Sequence, residues 1–438
     1  MKQSILRRAL CATLSAAMLL GVCACGSENE GGRNGLSDST TDLMANVSPS
    51  PDALSFQKNA DRQRIFERDY SEFALMLFRQ CAAKTPKENT LVSPLSVMTA
   101  LAMTQNGAEG NTLNQMNRTL SPVSWSLDSV LPLKRDEFNQ YLGAYLNSLP
   151  SDEKARFASA NSIWLRENSL DFKKAFLQTN ADYYGTDIFS SKFDDKTLAD
   201  INQWVSDNTG GMIRKVLDEI PDRTVMYLIN ALSFDAEWKQ IYREDQIHDG
   251  EFTNIDGKTE TVSMMSAEEF CYLDDGKAKG FMKPYAAGYS FVAMLPDEGT
   301  SVEEYIRTIS YAKIAAQIQS EEQQSVIAII PKFSAEYSVE LSGILKQAGM
   351  TDAFDETTAD FSGMADVKPG DLFINRVIHK TAIDVDERGT KAGAVTAVEM
   401  NTKGILMNVV SLDRPFVYMI IDNESDLPIF IGQVTHIK

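Results

Sequence analysis

The sequence predicts an α+β protein, and three observations carry that prediction. Helical periodicity is concentrated in the first half of the folded body and strand-like patterning in the second, without the steady strand–helix–strand alternation of a parallel α/β fold. The chain has 438 residues and is 43% hydrophobic, which suffices for a large core. Neither an internal repeat nor a break in composition follows Asp61, so residues 61–438 are expected to form one large domain.

The chain opens MKQSILRRALCATLSAAMLLGVCACGSENEGG. Lys2, Arg7 and Arg8 make a positive start, and the apolar run to Val22 is too short to span a membrane comfortably, so it reads as a secretory signal. Its end, Val22-Cys23-Ala24-Cys25-Gly26-Ser27, resembles a bacterial lipobox in which residues 1–24 are removed and Cys25 is lipidated; ordinary cleavage nearby is the alternative. A lipid on Cys25 would hold a secreted protein to the outer face of the bacterial envelope. Residues 25–60 are rich in Ser, Asn, Gly, Asp and Pro and are expected to be a disordered tether.

From Asp61, the residues Ile65, Tyr70, Phe73, Ala74, Met76, Leu77 and Phe78 fall at helical spacing. NTLVSPLSVMTALAMTQNGAEGNTLNQMNR, 89–118, predicts a short strand, a helix capped by Ser93 with Pro94 at its first position, and a Gly-marked turn. Helices are expected over 135–149 and 170–184. The runs VMYLINALSF (225–234), SFVAMLP (290–296) and SVIAIIPKF (325–333) have strand character. In INRVIHKTAIDVD (374–386), Val377, His379, Thr381, Ile383 and Val385 share one face. RPFVYMIID and PIFIGQVTHI close the chain as a hairpin-like pair around Asn423-Glu424-Ser425-Asp426.

Charge and motif content narrow the function. A net charge of −19 argues against nucleic-acid binding and against heparin. There is no G-x-S-x-G nucleophile elbow, and NTGGM is not a phosphate-binding loop. Ser93 and Ser96 lie at a helix start, where capping explains them. His379 lies on an apolar strand face and is expected to be a hydrogen-bonded core residue rather than a general base. Three histidines and no metal-ligand spacing leave no case for a metal or other cofactor. Of five cysteines only Cys81 and Cys271 belong to the folded body, as one bridge or, the preferred reading, as two separate thiols. An enzyme is not expected, nor a nucleic-acid partner, and the chain is expected to be a monomer.

VDERGTKAGAVTAVEMNTKGILMN, 385–408, has a different pattern. From Thr390 to Lys403 the charged side chains Lys391, Glu399 and Lys403 are all at odd positions. The even row Thr390, Ala392, Ala394, Thr396, Val398, Met400, Thr402 is uncharged and mostly small. Ala and Gly393 are poor strand formers. The segment is either an edge strand or surface loop, or one that is a loop in one state and a buried strand in another.

Five ordered stretches together resemble the serpin family over residues 61–438. NTLVSPLSVMTALAMTQNGAEGNTLNQM is similar to the family's helix-B region, and INQWVSDNTGGMIRKVL to the segment after helix F. LINALSFDAEWKQIY resembles the strand carrying the family's Asn and Trp, VIHKTAIDVDERGTKAGAVTA the strand leading into the reactive loop, and RPFVYMIIDNESDLPIFIGQV the C-terminal strands. The resemblance implies the serpin fold: early helices packed on a large mixed main sheet, further sheets, and an exposed reactive-centre loop. It implies a suicide inhibitor of serine proteases, with a non-inhibitory binding protein or a cysteine-protease inhibitor as alternatives. Glu387, Gly389 and Thr390, then Ala392, Gly393 and Ala394, match the hinge of the inserting loop. Val395 is larger than usual there. Counting from Glu387 puts the scissile bond at Lys403–Gly404, suited to a trypsin-like pocket. Counting back from Pro415 gives Gly404–Ile405, and Thr402–Lys403 is a third register, suited to elastase-like enzymes. Ser93, Ser96, Asn230 and His379 resemble a polar cluster beneath the point where the sheet opens. Trp238 resembles the aromatic at its top, and Lys332 is expected to pair with Glu387.

Overall fold

The computed structural model describes residues 35–124, 131–167, 170–390 and 408–437. The chain begins with a short strand, β1 (Thr40–Asp42). Helix α1 (Ala60–Lys84) starts at Asn59, whose side chain accepts from the backbone N–H groups of Asp61 and Arg62. After β2 (Thr90–Val92), Ser93 caps α2 (Pro94–Gln105) by accepting from the Ser96 N–H. Every residue of α2 is buried, which is why PLSVMTALAMTQ shows no charged face. There follow α3 (Gly110–Leu120), α4 (Arg135–Ser148), β3 (Ala155–Arg166), α5 (Lys174–Tyr183), β4 (Asp187–Ser191), α6 (Asp195–Asn208) and β5 (Met226–Glu237). The second half is mainly strand: β6 (Ile247–Thr253), β7 (Thr259–Glu269), β8 (Tyr272–Asp274), β9 (Ala278–Pro284) and β10 (Tyr289–Pro296). Two short helices, α7 (Val302–Thr308) and α8 (Tyr311–Ile318), lead to β11 (Val326–Pro331), β12 (Phe333–Glu340), α9 (Ser342–Gln347) and β13 (Arg376–Val385). β14 (Gly389–Thr390), β15 (Asn408–Ser411), β16 (Phe416–Asp422) and β17 (Pro428–Val434) complete it.

The strands form three sheets. The main sheet runs β1-β4-β3-β5-β13-β12, with β14 paired to β5; the others run β2-β17-β16-β10-β9-β8 and β15-β11-β7-β6. This is the α+β architecture expected, with a large mixed main sheet. β5 is parallel to β13 and antiparallel to β3. Side chains alternate along β5. Met226, Leu228, Leu232, Phe234 and Ala236 enter the main core with α1 and α2, while Tyr227, Ile229 and Ala231 join Trp164, Ile201, Trp204 and Val205 beneath α6. Burial on both faces is the reason this strand reads as a continuous apolar run.

Three expectations are corrected. The stretch 25–60 is not a tether from residue 35 onward. β1 pairs antiparallel with β4, and the Asp200 carboxylate accepts from the Ser37 N–H, the Ser37 hydroxyl and the Thr40 hydroxyl. Leu43 and Met44 pack against the core, and Phe56 sits edge-on to Tyr141 at 5.2 Å. Composition hid this because a few apolar side chains and hydroxyl-to-carboxylate bonds suffice to seat a polar segment on a finished surface. Second, of the stretch 201–217 expected to follow a helix, Ile201–Asn208 is the latter half of α6 and only residues 209–217 follow it. Third, the run 325–333 is divided between two sheets: β11 ends at Pro331, which has no N–H, and β12 begins at Phe333.

Candidate functional site

The site is the seam between β5 and β13 and the turn above it. Tyr227–Ser233 of β5 pair in parallel with Arg376–Ala382 of β13, so no strand lies between them there. Above the seam the chain reverses. Asp386 Oδ1 accepts from the N–H groups of Arg388 at 2.8 Å and Gly389 at 3.2 Å, and the Asp386 N–H donates to the Gly389 carbonyl at 2.9 Å. The returning residues Gly389 and Thr390 pair antiparallel with Glu237 and Ala236. Gly389 has φ +147°, and a Cβ there would meet the Ala236 carbonyl oxygen at 2.0 Å, so no other residue fits. Thr390 is fully buried and its hydroxyl lies 3.0 Å from that of Tyr285.

Behind the seam lies the polar cluster expected from the sequence. His379 Nε2 accepts from the Ser93 N–H at 3.0 Å, and Nδ1 is bonded to Asn230 Oδ1, which requires the neutral tautomer with its proton on Nδ1. Burial lowers the His379 pKa to about 3. A neutral, fully buried imidazole with both nitrogens engaged is a core residue, not a general base. Ser96 donates to Asn161 Oδ1 at 2.9 Å, and Asn230 Nδ2 donates to the same oxygen. Asn161 was not anticipated; the only sequence signal for it is a lone amide between Ala160 and Ser162 in β3.

The turn is held from outside. Lys332 Nζ meets Glu387 Oε2 at 2.6 Å, the pair expected, and this hydrogen bond is the main reason the Glu387 carboxyl is held below its ordinary range. The Trp238 N–H donates to the Arg388 carbonyl at 2.8 Å and its Nε1–H to the Asp386 carbonyl at 2.9 Å. The Tyr242 N–H donates to the Glu387 carbonyl at 2.9 Å. Trp238 is stacked on Tyr285, centroids 4.3 Å apart. The sequence pointed to Trp238, Lys332 and Glu387 and missed Tyr242 and Tyr285. Ala392, Gly393, Ala394, Thr402, Lys403, Gly404, Ile405 and Cys25 lie outside the described residues. Cys81 and Cys271 are buried free thiols, and burial raises their pKa values to about 12 and about 11. Among the described residues no group of three or more His, Cys, Asp or Glu side chains could hold a metal.

Comparison with known proteins agrees with this geometry. The family model "Serpin (serine protease inhibitor)" matches residues 68–437. Serpin A3-1 of Bos taurus is 30% identical over 373 residues, covering 84% of this chain and 88% of that protein. Leukocyte elastase inhibitor A of Mus musculus is 30% identical over 384 residues, covering 83% and 97%. The crystal structure of the thermophilic serpin tengpin in its native state is 44% identical, covers 91% of this chain and 100% of that one, and superposes with a TM-score of 0.83. Tengpin in its latent state, at 45% identity and 87% and 100% coverage, gives 0.74. Human thyroxine-binding globulin, 24% identical with a TM-score of 0.76 over 86% of this chain and 100% of that one, shares the fold. A main sheet with a closed parallel seam, a hinge strand started above it and a family match over nearly the whole folded body lead to one conclusion: the chain belongs to the serpin family.

Proposed function

We propose that this serpin is a single-use inhibitor of serine proteases. The protease's serine attacks the carbonyl of the residue before the scissile bond, an ester forms, and the new amine of the following residue leaves. The freed loop then inserts between β5 and β13, carries the acylated enzyme away and stalls its deacylation. Lys403–Gly404 is our first choice of bond, for a trypsin-like enzyme, with Gly404–Ile405 and Thr402–Lys403 as alternatives. About 14 inserted residues at ~3.3 Å each would move the enzyme ~45 Å.

The observation that carries this reading is the register of β14 on β5. Thr390 opposes Ala236 and runs antiparallel. Continued downward on insertion, the same register would set Ala392, Ala394, Thr396 and Val398 opposite Phe234, Leu232, Asn230 and Leu228, in the row that faces the core. Lys391 would oppose Asp235 at the top and Glu399 would oppose Tyr227 at the foot. Between them Val395 and Ala397 would oppose Ala231 and Ile229, which α6 covers. The inserted odd row would then not be wholly a water face, and an apolar Val395 would suit its place. Charges on the even row would be buried without partners, and none is present. A strand entering here would be antiparallel to both neighbours, exchanging one parallel ladder for two antiparallel ones, the slightly stronger kind per residue. The closed seam would then be a kinetic trap. The better superposition on the native than on the latent state of tengpin supports an uninserted ground state.

The test is a denaturing gel after mixing the protein with trypsin and with a neutrophil-type elastase, with mass spectrometry of the released C-terminal peptide. A band that survives SDS near the summed mass, and a peptide beginning at Gly404, are expected. Cleavage with no such band would favour a non-inhibitory binding protein. We also propose envelope anchoring through a lipid on Cys25, supported by the composition of residues 1–24. Cys25→Ser should release the protein into the medium, and unchanged membrane association would refute the anchor.

A further inference from the structure

One buried charge near the hinge is not used by the seam or the polar cluster. Lys283, at the end of β9, is 1% exposed, and its Nζ lies 2.7 Å from Glu269 Oε1 at the end of β7. The same nitrogen sits over two aromatic faces, 4.3 Å from the Tyr242 ring centroid and 5.3 Å from that of Trp238. These two residues supply the three N–H groups that grip the carbonyls of Asp386, Glu387 and Arg388. Tyr285, stacked on Trp238, meets the hydroxyl of Thr390. Apart from the Lys332–Glu387 ion pair and the pairing of β14 itself, these holds on the turn 386–390 run through Trp238 and Tyr242, whose rings face one ammonium, and through Tyr285 stacked on Trp238.

We propose that Lys283, paired with Glu269, is a positioning residue for the hinge: it orients Trp238 and Tyr242 so that the turn 386–390 is fixed in the register from which the loop enters the sheet. The inference rests on the reading of the loop as an inserting strand. An apolar side chain could fill the same volume, and replacing a buried ion pair by apolar residues often leaves stability unchanged or raised. Burial disfavours the Lys283 charge even with Glu269 beside it. What the ammonium adds is direction: attraction to an aromatic ring acts through the ring face and fixes both planes. With the turn so held, Gly389 and Thr390 are already paired when the loop is cut, and insertion extends a strand instead of nucleating one.

The experiment compares the wild type with Lys283→Met/Glu269→Leu, which removes both charges and keeps the volume. Hydrogen exchange is measured first on the uncut protein. The amides of Trp238 and Tyr242 are expected to exchange at least tenfold faster in the variant, with those of Leu228–Leu232 unchanged; a merely structural role would lower protection in both places or in neither. The second readout is the ratio of cleaved, untrapped protein to covalent adduct with a protease that the wild type traps. This ratio is expected to rise at least threefold. Unchanged exchange at Trp238 and Tyr242, or an unchanged ratio beside faster exchange, would overturn the proposal. If the wild type traps no protease, the inhibitor reading fails by itself, and the exchange result still decides whether the pair orders the turn. Tyr242→Leu serves if the double variant does not fold. It keeps the ion pair, removes one of the two rings and deletes a buried hydroxyl that has no hydrogen-bond partner, and the same selective loss of protection is expected.

Discussion

β5 has two edges, and they are built differently. Toward β3 it pairs antiparallel over eleven residue pairs, from Ala155–Ala236 to Leu165–Met226, and nothing interrupts the ladder. Toward β13 it pairs in parallel over seven, and above them the partner strand turns away and β14 takes its place. On the first edge, Ile163 and Leu165 anchor the strand in the core. On the second, His379 and Thr381 of β13 are buried and bonded among Val377 and Ile383, and Asn230 joins His379 to Asn161 across β5. Hydrogen bonds between small polar groups can be exchanged for others as strands separate, whereas interlocked aliphatic side chains cannot slide without opening voids. On the mechanism proposed above, one strand thus has an edge that stays and an edge that parts.

The largest expected effect breaks that distinction from the loop side. In the inserted strand proposed above, Ala394→Arg would put a charge on the even row opposite Leu232, buried without a partner. Covalent adduct should fall at least tenfold while cleavage continues, as quantified by gel densitometry. Next, Ile163→Ala, at a fully buried position on the lasting edge, should cost about 3 kcal/mol in urea unfolding. The ratio of adduct to cleaved product should not change, because that edge does not part. A changed ratio would mean the two edges are mechanically coupled.

The third effect concerns the parting edge and pH. The His379 pKa falls from 6.5 to about 3 on folding, so the native state holds the neutral form and the unfolded chain takes up the proton as pH falls below about 6.5. Stability should therefore be full above that pH and be lost as pH drops toward 3, at up to about 1.4 kcal/mol per pH unit. The difference between wild type and His379→Asn isolates this term, and parallel pH profiles for the two would refute it. The smallest effect is at the top of the seam. Lys332 and Glu387 are each about one-third exposed, so their pair contributes modestly. Glu387→Lys should lower the unfolding temperature by about 1 °C, since about 1 kcal/mol is lost. An unchanged temperature would remove the pair from the account.

Much of this was legible in the sequence, for physical reasons. Alternation marked β13, Ser93-Pro94 marked the start of α2, and the resemblance supplied the partnership of Ser93, Ser96, Asn230 and His379. What was hidden depends on long-range pairing. β1 is three polar residues that become a strand only against β4. Asn161 has no local signature, and its value lies in accepting bonds from two other elements. Lys283 and Glu269 look like ordinary surface charges, in KGFMKP and MSAEE, until the fold brings them together behind two rings. Nor could the sequence tell that α6 covers Tyr227, Ile229 and Ala231 of β5, the residues that Val395 and its odd-numbered neighbours would oppose on insertion.

The most direct test of the central claim, that the β5–β13 seam opens to accept the loop, needs no knowledge of the target. The loop is cut by a protease that does not form an adduct, and thermal unfolding of the cut protein is compared with that of the intact one. Insertion would add roughly ten backbone hydrogen bonds at about 1 kcal/mol each. At about 1 °C per kcal/mol for a domain of this size, the cut protein should unfold about 10 °C higher. An unfolding temperature equal to or below that of the intact protein would mean that the loop stays outside the sheet, and would contradict the account.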